Sequence, residues 1–267
     1  MAPRKSTIAE TADIDLVALE ARERREIAFW RESEKERPGE FGLDLLTHKM
    51  SEARIFLPKF EEHRALFEQA ETIVELGGGQ CWPSCMVKHE VGSGALVIGT
   101  DIAPDAVVSS PQWEHVIGAH LDGRAACRSN ATPFASGSVD LVFAFAAAHH
   151  FGAHRSTLHE IARILAPGGH ALYLYEPGVR DWLYPIALRR VMAKRPVVPE
   201  DLIRYHKLEE LADGAGLDSQ VTFAPTTTYR GAVETVYYLG LQRLRVLQKV
   251  LPCTVDILFT KRGAARA

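Results

Sequence analysis

The feature that most restricts this chain is a short apolar run that stops on three glycines, Thr72-Ile73-Val74-Glu75-Leu76-Gly77-Gly78-Gly79. A short, mostly apolar run ended by a turn signal reads as a strand buried on both faces, and such strands belong to parallel sheets packed between helices. Glycines directly after the strand let the backbone turn sharply and let another group approach where a Cβ would collide. Taken alone, the run is equally a purely structural turn. Further along, residues 96–100, 125–127, 139–145 and 171–175 read as four more strands, the fourth strand of the chain carrying Asp140 near its start. A helix over 156–165, with Leu158, Ile161 and Leu165 on one face, fits between the fourth and fifth strands, and Pro167-Gly168-Gly169 turns the chain back. Another helix over 208–215 is closed by Gly216; strands over 219–223 and 254–260 follow, with a helical insert between them at 231–250. This alternation predicts an α/β fold: a seven-stranded, mostly parallel sheet with helices on both faces.

Residues 1–70 differ in character and predict an N-terminal helical cap, leaving 71–267 as the sheet domain. Residues 14–36 are rich in Ala, Leu, Glu and Arg, with Ile14, Val17, Ala21, Ile27 and Trp30 as a rough helical stripe ended by Pro38-Gly39. Arg22, Arg24 and Arg25 interleave with Glu20, Glu23 and Glu26 and read as a solvated helix face. A second amphipathic stretch covers 43–69, where Pro58 predicts a boundary or kink.

A length of 267 residues accommodates one such domain and its cap. The formal charge of −3, without a basic stripe, argues against a nucleic-acid partner. No apolar stretch approaches the ~20 residues needed to span a bilayer. No apolar segment follows Arg4 and Lys5, so neither a membrane partner nor a secretory leader is predicted. The cysteines, Cys81, Cys85, Cys127 and Cys253, are too few for a disulfide framework, and a cytoplasmic setting is expected. Cys81 and Cys85 have no third cysteine nearby to complete a metal or iron–sulfur site, and read as buried thiols.

Two details narrow the chemistry. In a dinucleotide-binding turn, G-x-G-x-x-G, the last glycine makes room for close packing near a pyrophosphate; here Trp82 holds that position, which counts against NAD or FAD. Asp101 ends the second strand, downstream of the glycines. There a carboxylate can accept hydrogen bonds from both hydroxyls of a ribose, with Ile102 against an adenine face. A helix-capping or loop aspartate is the plainer alternative.

Four stretches in order, VELGGGQ, VIGTDIAP, ATPFASGSVDLVFAFAAAHHF and HEIARILAPGGHALYLYEP, resemble the class I S-adenosylmethionine-dependent methyltransferases, particularly the broad small-molecule group. The resemblance runs from about residue 71 to residue 217 and implies a Rossmann-like fold with S-adenosylmethionine as cofactor. It implies that Glu75, Gly77, Gly78 and Gly79 cradle the methionine end, that Asp101 and Ile102 hold ribose and adenine, that Asn130 and Ala131 border the adenine, and that Phe145 sits beside the cofactor. The chain departs from the family at Cys81, where many relatives have a third glycine, and at Arg128-Ser129-Asn130, where many have an aspartate.

Methyl transfer from a sulfonium needs alignment, exclusion of water and, for some acceptors, removal of a proton, but no metal. His149 and His150 follow the fourth strand, near where the family places its acceptor, and are candidate bases or acceptor contacts; Glu176 at the end of the fifth strand is another, and Tyr175 reads as wall. Trp30, Phe41, His48 and Phe56 of the cap, Trp182 and Tyr184 of a helix over 179–194, and Tyr237 and Tyr238 of the insert are roof candidates, though packing accounts equally well for most. The reading is a methyltransferase acting on a small molecule, oxygen before nitrogen, with a homodimer left open. The alternative is a non-catalytic S-adenosylmethionine-binding module within a complex.

Overall fold

The computed structural model of the protein describes residues 16–33, 42–193, 200–228 and 230–263; Ile14 and Phe41 of the sequence reading lie outside them. The apolar run before the glycines forms β1 (Thr72–Leu76), and Ile73, Val74 and Leu76 are all enclosed, as a strand covered on both faces requires. β2 (Leu96–Asp101) and β3 (Gly123–Ala126) lie parallel to it on one side. On the other side β4 (Val139–Phe145) and β5 (Leu165–Val179) are parallel as well. β6 (Ile203–Arg204) is a two-residue strand against the end of β5, while β8 (Cys253–Lys261) runs antiparallel between β5 and β7 (Leu217–Phe223), completing the sheet. The spatial order is β3-β2-β1-β4-β5-β8-β7. The strand order reverses between β1 and β4, and in open α/β sheets the crevice at the carboxyl ends of such strands is where ligands bind.

Helices cover both faces. α1 (Leu16–Glu32), α2 (Leu43–Glu62) and α3 (Arg64–Gln69) precede the sheet. α4 (Trp82–Val91) follows β1, α5 (Pro104–Val107) and α6 (Ser110–Ile117) follow β2, and α7 (His154–Ile164) joins β4 to β5. α8 (Tyr184–Ala193), α9 (Tyr205–Gly214), α10 (Ala232–Arg243) and α11 (Arg245–Gln248) complete the described set. One core layer is aromatic: Phe56 and Phe60 of α2 and Phe67 of α3 meet Phe143 and Phe145 of β4 and Trp82 of α4. Each such fully buried ring contributes about 1.5–3 kcal/mol of transfer free energy. The opposite layer packs Leu158, Ile161 and Ile164 of α7 with Tyr173 and Phe259. No helix among the described residues is long and apolar enough to cross a membrane.

The structure corrects several sequence boundaries. Among the described residues there are eight strands, not seven, because the end of β5 recruits β6. β5 takes in Pro167-Gly168-Gly169, expected to be a turn, since Leu165 already pairs with Val139 and the register slips before Leu141. A second irregularity lies between Tyr173 and Glu176 on the β8 side, where Tyr175 adopts φ 60°. Because β5 continues to Val179, α8 begins only at Tyr184. Pro58 lies inside α2 rather than ending it.

Candidate active site

A cavity of about 510 Å³ opens at the carboxyl ends of β1, β2 and β4. Its floor is the glycine turn. Gly77 and Gly79 have φ of 71° and 54°, in the left-handed region that L side chains avoid. A Cβ on Gly78 would fall 2.6 Å from the Glu75 carboxylate, and one on Gly79 2.6 Å from the indole of Trp30. The Gly78 N–H donates to the Thr100 carbonyl at 2.8 Å, pinning the turn to β2. Cys81, where many relatives of the resembled class have a third glycine, keeps a left-handed backbone at φ 58° despite its Cβ, a conformation costing about 1–2 kcal/mol. Gly99 of β2 accommodates it, because a Cβ there would lie 2.5 Å from the Cys81 sulfur. The compensation joins two segments and has no local signal.

Two carboxylates edge this turn. Glu75 is buried; Ser84 donates to its Oε2 through Oγ at 2.5 Å and through N–H at 3.2 Å. Burial pushes its pKa up to about 8, against the pull of the Ser84 hydrogen bonds. Asp101 accepts the Gly79 N–H at 2.8 Å on one oxygen and the Ala103 N–H at 2.8 Å on the other, and burial raises it to about 6. The hydrogen bonds holding both acids come from uncharged groups. Ile102, Asn130, Phe145 and Trp82 also line the cavity. Ala131 is exposed and outside the lining, while Thr132 beside it bonds to Glu160 of α7.

The roof is α1. Arg22, Glu26 and Trp30 recur every fourth residue, share one helix face and line the cavity. Arg22 donates to the His149 carbonyl at 2.9 Å, Glu23 pairs with Arg128 at 2.7 Å, and Arg31 with Asp105 at 2.5 Å. The expected solvated face is therefore only half right: Glu20, Arg24 and Arg25 are exposed, while Arg22, Glu23 and Glu26 turn inward to partners far along the chain. The spacing of 22, 26 and 30 was the signal that could have found them. α2 adds Lys49 and Glu52, 3.1 Å apart. Of the aromatic roof candidates, Trp30 lines the cavity. Phe56 is wholly in the core, Trp182 is 63% exposed, and the Tyr184 and Tyr237 hydroxyls donate to Asp201 and to the Pro252 carbonyl. His48 and Tyr238 are also outside the lining, Tyr238 lying under the Arg230 guanidinium.

The turn after β4 separates the three candidate acid–base residues. His150 lines the cavity, with Nδ1 2.9 Å from Glu26 Oε1. Burial pulls its pKa down, but the Glu26 hydrogen bond and charge outweigh this and hold it above the usual histidine value. Glu176 is fully buried and lies outside the lining. It accepts the backbone N–H groups of Ala147, Ala148 and His149 at 2.8–3.0 Å and pairs with His149 Nδ1 at 2.8 Å. Burial opposes its ionisation, yet His149 and the amides keep its pKa below the ordinary carboxylate value. Glu176 and His149 thus face each other at the turn, in which Ala146 adopts φ 49°, and neither lines the cavity.

The fold is that of the class I S-adenosylmethionine-dependent methyltransferases. Residues 74–173, from β1 into β5, match the family model described as a methyltransferase domain. No curated protein matches the sequence. Among solved structures, the YcgJ protein of Bacillus subtilis superposes with a TM-score of 0.56 at 15% identity, over 81% of this chain and 100% of that one. Phosphoethanolamine N-methyltransferase 2 of Haemonchus contortus, in complex with S-adenosyl-L-methionine, gives 0.58 at 14% identity, over 89% and 60%. Geranyl diphosphate C-methyltransferase of Streptomyces coelicolor, in complex with Mg2+, geranyl diphosphate and S-adenosyl-L-homocysteine, gives 0.54 at 12% identity, over 72% and 71%. These likenesses establish the fold. The cavity suits the class's cofactor: a glycine cradle that a Cβ would fill, and two buried carboxylates whose raised pKa values a cationic ligand would relieve.

Proposed function

We propose that the enzyme methylates a hydroxyl group of a small-molecule acceptor, with His150 as the general base. The observation that carries this reading is the His150 imidazole, placed in the cavity beside the glycine turn and backed by a carboxylate at 2.9 Å. An uncharged amine attacks through its own lone pair, whereas a hydroxyl must lose a proton as the new bond forms, so a carboxylate-backed imidazole favours oxygen over nitrogen. The bound sulfonium supplies an activated methyl group. Glu75 takes the ammonium of the amino-acid tail, Gly77, Gly78 and Gly79 admit that tail, and Asp101 accepts the ribose hydroxyls with the lone pairs its two amide donors leave free. Ile102 and Asn130 border the adenine, and Phe145 and Trp82 wall the reacting end and exclude water. Neighbours of the same fold whose descriptions name small acceptors, phosphoethanolamine and geranyl diphosphate, support an acceptor of that size. Four free cysteines, three of them buried, support a reducing, cytoplasmic setting.

Turnover tests the reading. A panel of phenols and primary amines offered with S-adenosylmethionine should yield methyl ethers, and His150→Gln should lower kcat by about 10²–10⁴-fold with cofactor affinity kept. Products methylated only on nitrogen, or a His150→Gln enzyme as fast as wild type, would reject it. Cofactor binding without turnover of any acceptor would favour the non-catalytic module instead.

A further inference from the structure

We propose that Glu26 is the positioning residue for His150, so that the base is complete only while α1 lies across the cavity. This rests on the assignment of His150 as the base. Glu26 comes from the cap and His150 from the turn after β4, 124 residues apart, yet Oε1 and Nδ1 stand 2.9 Å from each other. With Nδ1 so engaged, Nε2 is the ring nitrogen left to take an acceptor proton, and the carboxylate both orients the ring and stabilises the imidazolium that forms.

The groups facing His150 come from several elements: Glu26 and Arg22 from α1, Glu176 from β5, Asp101 at the end of β2, and its neighbour His149, whose ring centroid is 4.2 Å away. Glu176 is occupied by His149 and three amides, Asp101 by two amides, and Arg22 opposes protonation. Among the described residues, Glu26 is the carboxylate bonded to the His150 ring. Burial by itself would make this histidine a weaker base than in water; Glu26 of α1 does most to raise it, and the charge of Glu176 adds to this.

α1 is tied down by the Arg22 bond to the His149 carbonyl, by Glu26 on His150, and by pairs nearer the surface. Its pairs Glu23–Arg128 and Arg31–Asp105 each leave one member more than half exposed, and such pairs contribute about 0–1 kcal/mol each. The same helix lays Trp30 against Gly79 at the cradle. One docking event therefore covers the cofactor's amino-acid tail and finishes the base, and a raised helix leaves His150 without its carboxylate.

The test is a pH titration of histidine ring resonances by NMR on the full chain saturated with S-adenosylhomocysteine, the His150 signal being assigned by its loss in His150→Gln. In wild type His150 should titrate above the ordinary histidine value of about 6.5. Glu26→Gln, isosteric but uncharged, should lower that value, and Glu26→Asp should restore part of it. A His150 titration unchanged in Glu26→Gln overturns the proposal. A shifted titration combined with undiminished turnover in His150→Gln overturns the base assignment on which it rests, so the two failures are told apart.

Discussion

Acidification from pH 7.5 to pH 6.0 should weaken binding of the cofactor's amino-acid tail through one group, Glu75. This carboxyl is fully enclosed, receives hydrogen bonds from Ser84 alone among the described residues, and ionises only near pH 8 because burial penalises its charge. If the ligand's ammonium binds the ionised form, binding at neutral pH must first expel a proton. With a pKa of about 8, about a quarter of the carboxyls are ionised at pH 7.5 and about one in a hundred at pH 6.0. The resulting affinity loss is roughly 25-fold, or about 2 kcal/mol. Asp101, at about 6, adds to the loss only at the bottom of this range. Isothermal titration of S-adenosylhomocysteine, whose tail is identical, in two buffers of different ionisation enthalpy at each pH would count the protons released. Close to one proton per ligand is expected at pH 6.5–7.5, and Glu75→Gln should bind weakly with little pH dependence. The sign in the unliganded protein is opposite: a carboxyl with a raised folded pKa stabilises the fold below its unfolded value, and that contribution is lost as pH rises from about 4.5 towards 8. Binding accompanied by no proton release at pH 7 would refute the reasoning, and so would wild-type affinity that is flat from pH 7.5 to 6.0.

The remaining predictions concern the cradle and the core. Gly78→Ala places a methyl 2.6 Å from the Glu75 carboxylate and must displace it. S-adenosylhomocysteine affinity should fall by about tenfold or more, about 1.4 kcal/mol, with an unaltered circular dichroism spectrum; unaltered affinity would show that Glu75 does not hold the ligand. Lys59→Met strips the cation from a buried pair with Asp256, 8% and 3% exposed. It should cost about 3–5 kcal/mol, read as a fall in melting temperature of about 6–20 °C. A change too small to resolve by calorimetry would show that the pair is not structurally required. The same substitution should disturb the cavity wall, since Asp256 also accepts the Tyr175 N–H at 2.7 Å and Tyr175 stacks on Phe145.

The parts legible in the sequence were those that local chemistry dictates. An apolar run with no alternation states that both faces of β1 are covered, three glycines state that something must come close, and Asp101 was read at the end of β2; β1 and β4 were read to the residue. Each of these depends on neighbours within a few positions, so periodicity and turn chemistry expose it. The tertiary structure alone decided which histidine faces the cavity, because His149 and His150 are adjacent and differ only in the carboxylate each finds, Glu176 on β5 or Glu26 on α1. It alone showed that Glu176 is consumed by three backbone amides, and that a cysteine can stand at a left-handed position because Gly99 on the next strand leaves room. Packing brings together groups that chain order keeps far apart, and a hydrogen bond spanning 124 residues leaves no trace in the residues on either side of its two ends.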